Sequence, residues 1–139
     1  MKYKNVLIPA AIIIILDQIT KLLFTNQKYT IMGFEIIKYT ENTGAAFSIL
    51  EGYRWLFIAV AAAAIALLAY FTTKIAEQEK GLLITTGILI GGMTGNLIDR
   101  IFLGYVRDFI NLGFWPTFNI ADTAMFIAII LLIIHFFKR

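Results

Sequence analysis

The chain contains no cysteine and a single histidine, His135. Without thiols there is no disulfide framework, no cysteine nucleophile and no cysteine-based metal site, and one imidazole rules out a histidine-rich metal cluster. Charge is scarce as well: Asp, Glu, Lys and Arg make up 15% of the 139 residues, and the net charge is only +3. The basic residues are scattered among apolar runs, so no nucleic-acid footprint is read. What fills the sequence instead is apolar surface, 60% of all residues. A soluble domain of this length has too little interior to hide so much, which makes lipid the expected solvent.

Four charge-poor runs, about residues 5–24, 55–73, 81–99 and 118–137, come close to the ~20 residues a helix needs to cross a bilayer. The opening "MKYK" before "VLIPAAIIIIL" has the look of a signal peptide, but no small-residue cleavage site follows. The first run is therefore expected to stay as a span. These runs predict an all-α integral membrane protein, one membrane domain over residues 1–139 with four transmembrane helices. Lys2, Lys4, Lys74, Lys80, Lys138 and Arg139 then share one side, whereas the loop over 25–53 sets Lys28, Lys38 and the boundary Arg54 against Glu35, Glu41 and Glu51. The positive-inside rule places both termini in the cytoplasm.

Polar residues gather at the other membrane face. Asp17 and Lys21, spaced i,i+4 near the outer end of span 1, share a helix face and can pair. Span 3 ends in "GGMTGNLIDR", where Gly92, Asn96 and Asp99 or Arg100 form a stripe, and span 4 opens with Asn119 and Asp122. Ionisable groups in a membrane segment are costly, so these are expected to face a bundle interior or a wet cavity. Gly87, Gly91 and Gly95 make overlapping G-x-x-x-G units that signal close helix packing, and Gly92 and Gly95 are also candidates for keeping a cavity open. In the long outer loop "YTIMGFEIIKYT" reads as a hairpin, the start of a small extracytoplasmic β-sheet, and the small residues of "ENTGAAFSIL" suit close backbone approach. Trp115 and Phe114 fit an interfacial belt, Pro116 and Asn119 a helix start with Asn119 as N-cap, and His135 an interfacial position at the opposite face.

Asp122 then falls on the third helical residue of span 4, near the positive end of the helix dipole, where negative charge is stabilised. Asp108 of "VRDF" lies in the preceding loop, close enough for the chain to fold back. Two carboxylates in one confined site cannot both ionise easily, so one keeps a proton at neutral pH. Such a pair can activate water with one member and protonate a departing amine with the other, the arrangement of an aspartic protease. Asp122 is assigned as base and Asp108 as acid, with the proton a property of the pair. The plainer readings are a local helix-start acid for Asp122 and a solvated loop acid for Asp108. Asp99 reads as structural, paired with Arg100 or Arg107, and Asp17 with Lys21 as either an architectural ion pair or part of the site rim.

The residues also resemble a known family, the bacterial lipoprotein signal peptidases (signal peptidase II). The likeness is carried by "DQITK" in span 1, "NTGAAFS" in the outer loop, "GGMTGNLIDRIFLGYVRDF" at the end of span 3 and "FNIAD" opening span 4, in that order. It implies an aspartyl endopeptidase of the bacterial cytoplasmic (inner) membrane, with its active site at the extracytoplasmic face. Its substrate would be a prolipoprotein carrying an S-diacylglyceryl cysteine, cut on the N-terminal side of that cysteine. The resemblance places the catalytic dyad on Asp108 and Asp122, contacts to substrate or to the antibiotic globomycin on Asn42, Asn96, Arg100 and Asn119, and a family pair on Asp17 and Lys21. The loop around 25–50 would be the family's β-cradle. The segment between Asp108 and Asp122 is short for the family. No metal or cofactor is expected, membrane lipid surrounds the protein, and nothing in the chemistry asks for more than a monomer. Two rival readings are a small transporter or proton channel using the acids as a relay, and a transferase holding Mg²⁺ on Asp99, Asp108 and Asp122.

Overall fold

The apolar runs become four long helices. The computed structural model describes residues 2–44 and 52–138. Helix α1 spans Lys4–Phe24, α2 Arg54–Thr72, α3 Lys80–Phe102 and α4 Ile120–Phe137, and each is long and apolar enough to cross a membrane. Strands β1 (Lys28–Ile31), β2 (Phe34–Asn42) and β3 (Val106–Ile110) form one antiparallel sheet in the order β1-β2-β3. The small residues of 45–48, singled out in the sequence for close approach, lie outside the described residues, as do Glu51 and Arg139.

The burial pattern is inverted relative to a water-soluble protein. Asp17, Lys21, Asn96, Asp99, Arg107, Asp108 and Asn119 are buried, whereas Leu7, Ile12, Val60, Leu67, Phe126 and Ile133 stand exposed on the helix exteriors. Lipid solvates the apolar exterior at no penalty, while polar side chains must find one another inside.

Helix α3 is the central helix, packing against the other three and against β3, and its glycines explain the closest approaches. A Cβ on Gly91 would sit 2.7 Å from the carbonyl oxygen of Ala10, and one on Gly87 would collide with the backbone of Val6. Bare backbone on this face lets α1 lie against α3, as the G-x-x-x-G spacing predicts. Gly92 and Gly95, also candidates for keeping a cavity open, sit in close contacts of their own. Gly92 is pressed against Ala121 of α4, and Gly95 against the Asp17 carboxylate; both serve close packing.

The predicted hairpin is β1–β2, turning at Met32 (φ 51) and Gly33 (φ 83). Two successive positive φ values are the mark of a type I′ turn, whose twist matches paired strands. The sheet has one more strand than the sequence suggested: "VRDFI", read as loop, pairs with β2 in a register that sets Thr40 opposite Asp108 and Asn42 opposite Val106. Its first four residues are all buried. Strand β3 follows α3 directly and leads into α4, so the sheet sits at the end of the bundle where α1 and α3 finish and α2 and α4 begin.

Candidate active site

Asn119 starts α4 in extended geometry (φ −135°, ψ −175°), as expected for an N-cap. Its side-chain oxygen accepts the backbone N–H of Asp122 at 2.9 Å, and Asp122 Oδ2 accepts the backbone N–H of Asn119 at 3.2 Å. This reciprocal capping box fixes Asp122 at the helix mouth. The outer oxygen, Oδ1, accepts Nδ2 of Asn96 from α3 at 2.8 Å.

Asp108 reaches the same place from the sheet. Its Oδ1 accepts Nδ2 of Asn119 at 2.7 Å and its Oδ2 accepts Nδ2 of Asn42, from the neighbouring strand, at 3.0 Å. Burial, followed by the charge of Asp122, pushes the Asp108 carboxyl up to about 7, although the Asn42 and Asn119 N–H groups pull the other way. Desolvation and a like charge both disfavour the anion. The plainer reading of Asp108 as a solvated loop acid does not hold, since only 1% of its surface is exposed.

Both carboxylates line a cavity of about 780 Å³, together with Asn42, Asn96 and Arg100. The remaining walls are largely apolar, including Phe57 and Val60 of α2, Trp115, and Met125 and Phe126 of α4. Arg100 donates to the carbonyl of Gly44 at 3.0 Å and lies over the Phe57 ring at 5.0 Å. Asn119 is fully buried and bridges the two carboxylates, its backbone N–H donating to Asp122 and its side-chain NH₂ to Asp108.

Beneath the cavity lies a charge-balanced cluster. Lys21 Nζ is 2.7 Å from Asp17 Oδ2 and 3.3 Å from Asp99 Oδ2, and Arg107 Nη2 is 2.8 Å from Asp99 Oδ1. Arg107 is thus the partner of Asp99, and the arginine's own charge is held the more firmly for it. Asp17 also accepts the backbone N–H of Ala121 at 3.0 Å, tying α1 to the start of α4. Asp99 is committed to Arg107 and Lys21 and does not join Asp108 and Asp122. Among the described residues no group of three acidic or imidazole side chains has the makings of a metal site. His135 lies far from this cluster in the fold, its Nε2 3.4 Å from Glu79 at the other end of α4.

Two contributors went unremarked in the sequence. Gln18 Nε2 donates to Asp99 Oδ1 at 3.2 Å and to the Gly95 carbonyl at 3.1 Å, while its oxygen accepts Arg107 Nη2 at 2.9 Å. Arg54, counted only as a boundary charge, donates to the carbonyls of Arg100 (2.7 Å) and Ile101 (2.6 Å). The signal for Gln18 was its place beside Asp17 on the polar stripe of α1; nothing local marked Arg54.

Residues 9–138 match the family model described as signal peptidase (SPase) II. The chain is 40% identical over 141 aligned positions to the lipoprotein signal peptidase of Halothermothrix orenii, covering 96% of both chains. It is 42% identical to that of Syntrophomonas wolfei, covering 88% of this chain and 86% of the relative. A solved bacterial membrane enzyme superposes with a TM-score of 0.85 at 31% identity, over 94% of this chain and 86% of its own. With the family model, the relatives' sequences and the fold in agreement across nearly the whole chain, the protein belongs to the signal peptidase II family of bacterial membrane aspartic endopeptidases.

Proposed function

We propose that Asp108 and Asp122 are the water-activating dyad of this endopeptidase, and that it removes the signal peptide from prolipoproteins on the N-terminal side of an S-diacylglyceryl cysteine. The observation that carries this reading is the convergence of the two carboxylates. They come from different elements, each is held by its own amide donors, and they face one apolar-walled cavity. Asp108, with its carboxyl near 7, carries the proton, and Asp122 acts as base. Water attacks the scissile carbonyl as its proton passes to Asp122, and Asp108 protonates the leaving amine. Arg100, Asn42 and Asn96 line the same cavity and are placed to hold peptide backbone, while its apolar walls suit acyl chains.

The same reading makes residues 1–139 one membrane domain with both termini cytoplasmic, so that the cavity opens at the extracytoplasmic face, where a lipid-anchored substrate stays within reach. The enzyme works as a monomer in lipid, and globomycin-type inhibitors would occupy the same cavity.

The test is prolipoprotein cleavage in detergent by Asp108→Asn and Asp122→Asn beside wild type. Each variant is expected to lose activity by at least about 10³-fold while remaining folded. Substantial cleavage by either would sink the dyad. A chelator should leave the wild-type rate unchanged; its abolition would favour a metal-dependent reaction instead.

A further inference from the structure

Lys21 takes no part in the reaction drawn above, yet it is fully buried and its ammonium group makes three close polar contacts. Two go to Asp17 and Asp99, and with Arg107 they complete a cluster of two cations and two anions. The third is not needed for charge balance. It runs 2.9 Å to Oδ1 of Asn96, the side chain whose amide nitrogen touches Asp122.

We propose that Lys21 is a positioning residue for the dyad: its bond to Asn96 Oδ1 orients the side-chain amides of both Asn96 and Asn119, so that their NH₂ groups are presented to Asp122 and Asp108. This inference rests on the dyad reading. An ammonium has donors only, so the Asn96 atom facing it must be the oxygen. That oxygen also accepts Nδ2 of Asn119 at 3.1 Å, which uses its second lone pair. The Asn96 nitrogen is then directed at Asp122 Oδ1. Turned over, the amide would set NH₂ against the ammonium and oxygen against the carboxylate, two repulsive contacts in a buried place. Asn119 follows from Asn96. Its oxygen is taken by the Asp122 N–H, and its nitrogen serves both Asn96 Oδ1 and Asp108 Oδ1. One cation, a single amide removed from the cavity, thereby decides which groups face each carboxylate. The charged groups facing Lys21 are Asp17 on its own helix and Asp99 on α3, with Arg107 of β3 behind Asp99, and its charge also reaches Asp108 of β3 and Asp122 of α4.

Removing Lys21 alone would leave Asp17 buried without its cation and risks unfolding. The paired variant Asp17→Asn/Lys21→Met deletes one charge of each sign, keeps the Asp99–Arg107 pair, and retains an amide oxygen at position 17 for the Ala121 N–H. It should keep a near wild-type unfolding midpoint in detergent and a KM within about 3-fold, while kcat falls on the order of 10²-fold and its pH optimum moves. A folded double variant with wild-type kcat and pH profile would overturn the proposal. A second measurement needs no variant. In wild-type protein labelled with ¹⁵N at lysine and asparagine, the Asn96 NH₂ protons should show contacts to Asp122 and not to the Lys21 ammonium. The reverse pattern overturns the proposal whether or not the double variant folds. Inactive Asp108→Asn and Asp122→Asn beside a fully active double variant would reject only this inference, whereas active dyad variants would reject the reading beneath it.

Discussion

The Asn119 side chain donates to Asp108 across 2.7 Å and, through its oxygen, caps the helix that carries Asp122. One residue thus couples a strand acid to a helix acid, and its two functions can be separated. Asn119→Ser keeps an N-cap oxygen but loses the reach to Asp108. It should retain most of the unfolding midpoint while kcat for prolipoprotein cleavage drops by roughly 10-fold or more. Asn119→Ala loses both, adding a stability loss of about 1 kcal/mol. Equal kcat for Asn119→Ser and wild type would show that the Asp108 contact does not matter to the chemistry.

The raised carboxyl of Asp108 gives a pH dependence with a definite sign. Its ordinary value in an unfolded chain is about 3.9, and in the fold burial and Asp122 push it up to about 7. The folded protein therefore holds this proton more tightly than the unfolded chain. The stability it lends is complete below about pH 4 and lost as pH rises through about 7. Asp108→Asn removes the dependence, so its unfolding midpoint should gain on wild type between about pH 5 and pH 8. With Asp108 as the proposed general acid, cleavage by wild type should decline as pH rises through about 7. A gap between the midpoints that stays constant with pH would contradict the assignment.

Much of this was legible in the sequence because lipid penalises charge so heavily. Asp17, Lys21, Asn96, Asp99, Asp108, Asn119 and Asp122 stand out from apolar surroundings, and the structure gathers all of them at one end of the bundle. What escaped is partnership across long separations. Gln18 meets Arg107 89 positions away, and no local pattern shows a neutral amide to be a hub. Strand β3 escaped because five residues of mixed character have no clear period of their own; they are extended because β2 offers them an edge. Asn119 was read as a cap, which the structure shows, whereas its bond to Asp108 was not foreseen.

Arg54 joins the first residue of α2 to the last turn of α3, where the carbonyls of Arg100 and Ile101 have no partner within the helix. A cation at a helix C-terminus is also stabilised by the negative end of the helix dipole. Arg54→Gln should lower the unfolding midpoint by an amount corresponding to about 1–3 kcal/mol, since hydrogen bonds from a charged group are lost. Because Arg100 lines the cavity and its backbone is one of the two acceptors, KM for the prolipoprotein should rise as well. Lysine at position 54 should recover only part of the loss, having no planar fork to reach both carbonyls.

The contact between α1 and α3 predicts a sharp contrast between two glycines on one helix. Gly91 faces α1 so closely that an added Cβ would lie 2.7 Å from the Ala10 carbonyl oxygen, 2.9 Å from its Cα and 3.0 Å from the Ile13 Cβ. Two of those atoms are backbone and cannot swing aside, so Gly91→Ala must push the helices apart. Overpacking of this kind costs about 1–3 kcal/mol. Gly81, near the start of the same helix, has nothing within 4 Å of the equivalent position. Gly81→Ala should therefore be neutral or stabilising by up to about 1 kcal/mol through helix propensity. On the proposed dyad the difference extends to catalysis, because α1 carries Asp17 and Lys21 into the cluster that contacts Asn96 beside Asp122. Gly91→Ala should lower both the unfolding midpoint and kcat, and Gly81→Ala neither. Thermal unfolding in detergent paired with steady-state cleavage of the same preparations decides it; equal behaviour of the two variants would show that α1 and α3 do not meet as closely as described.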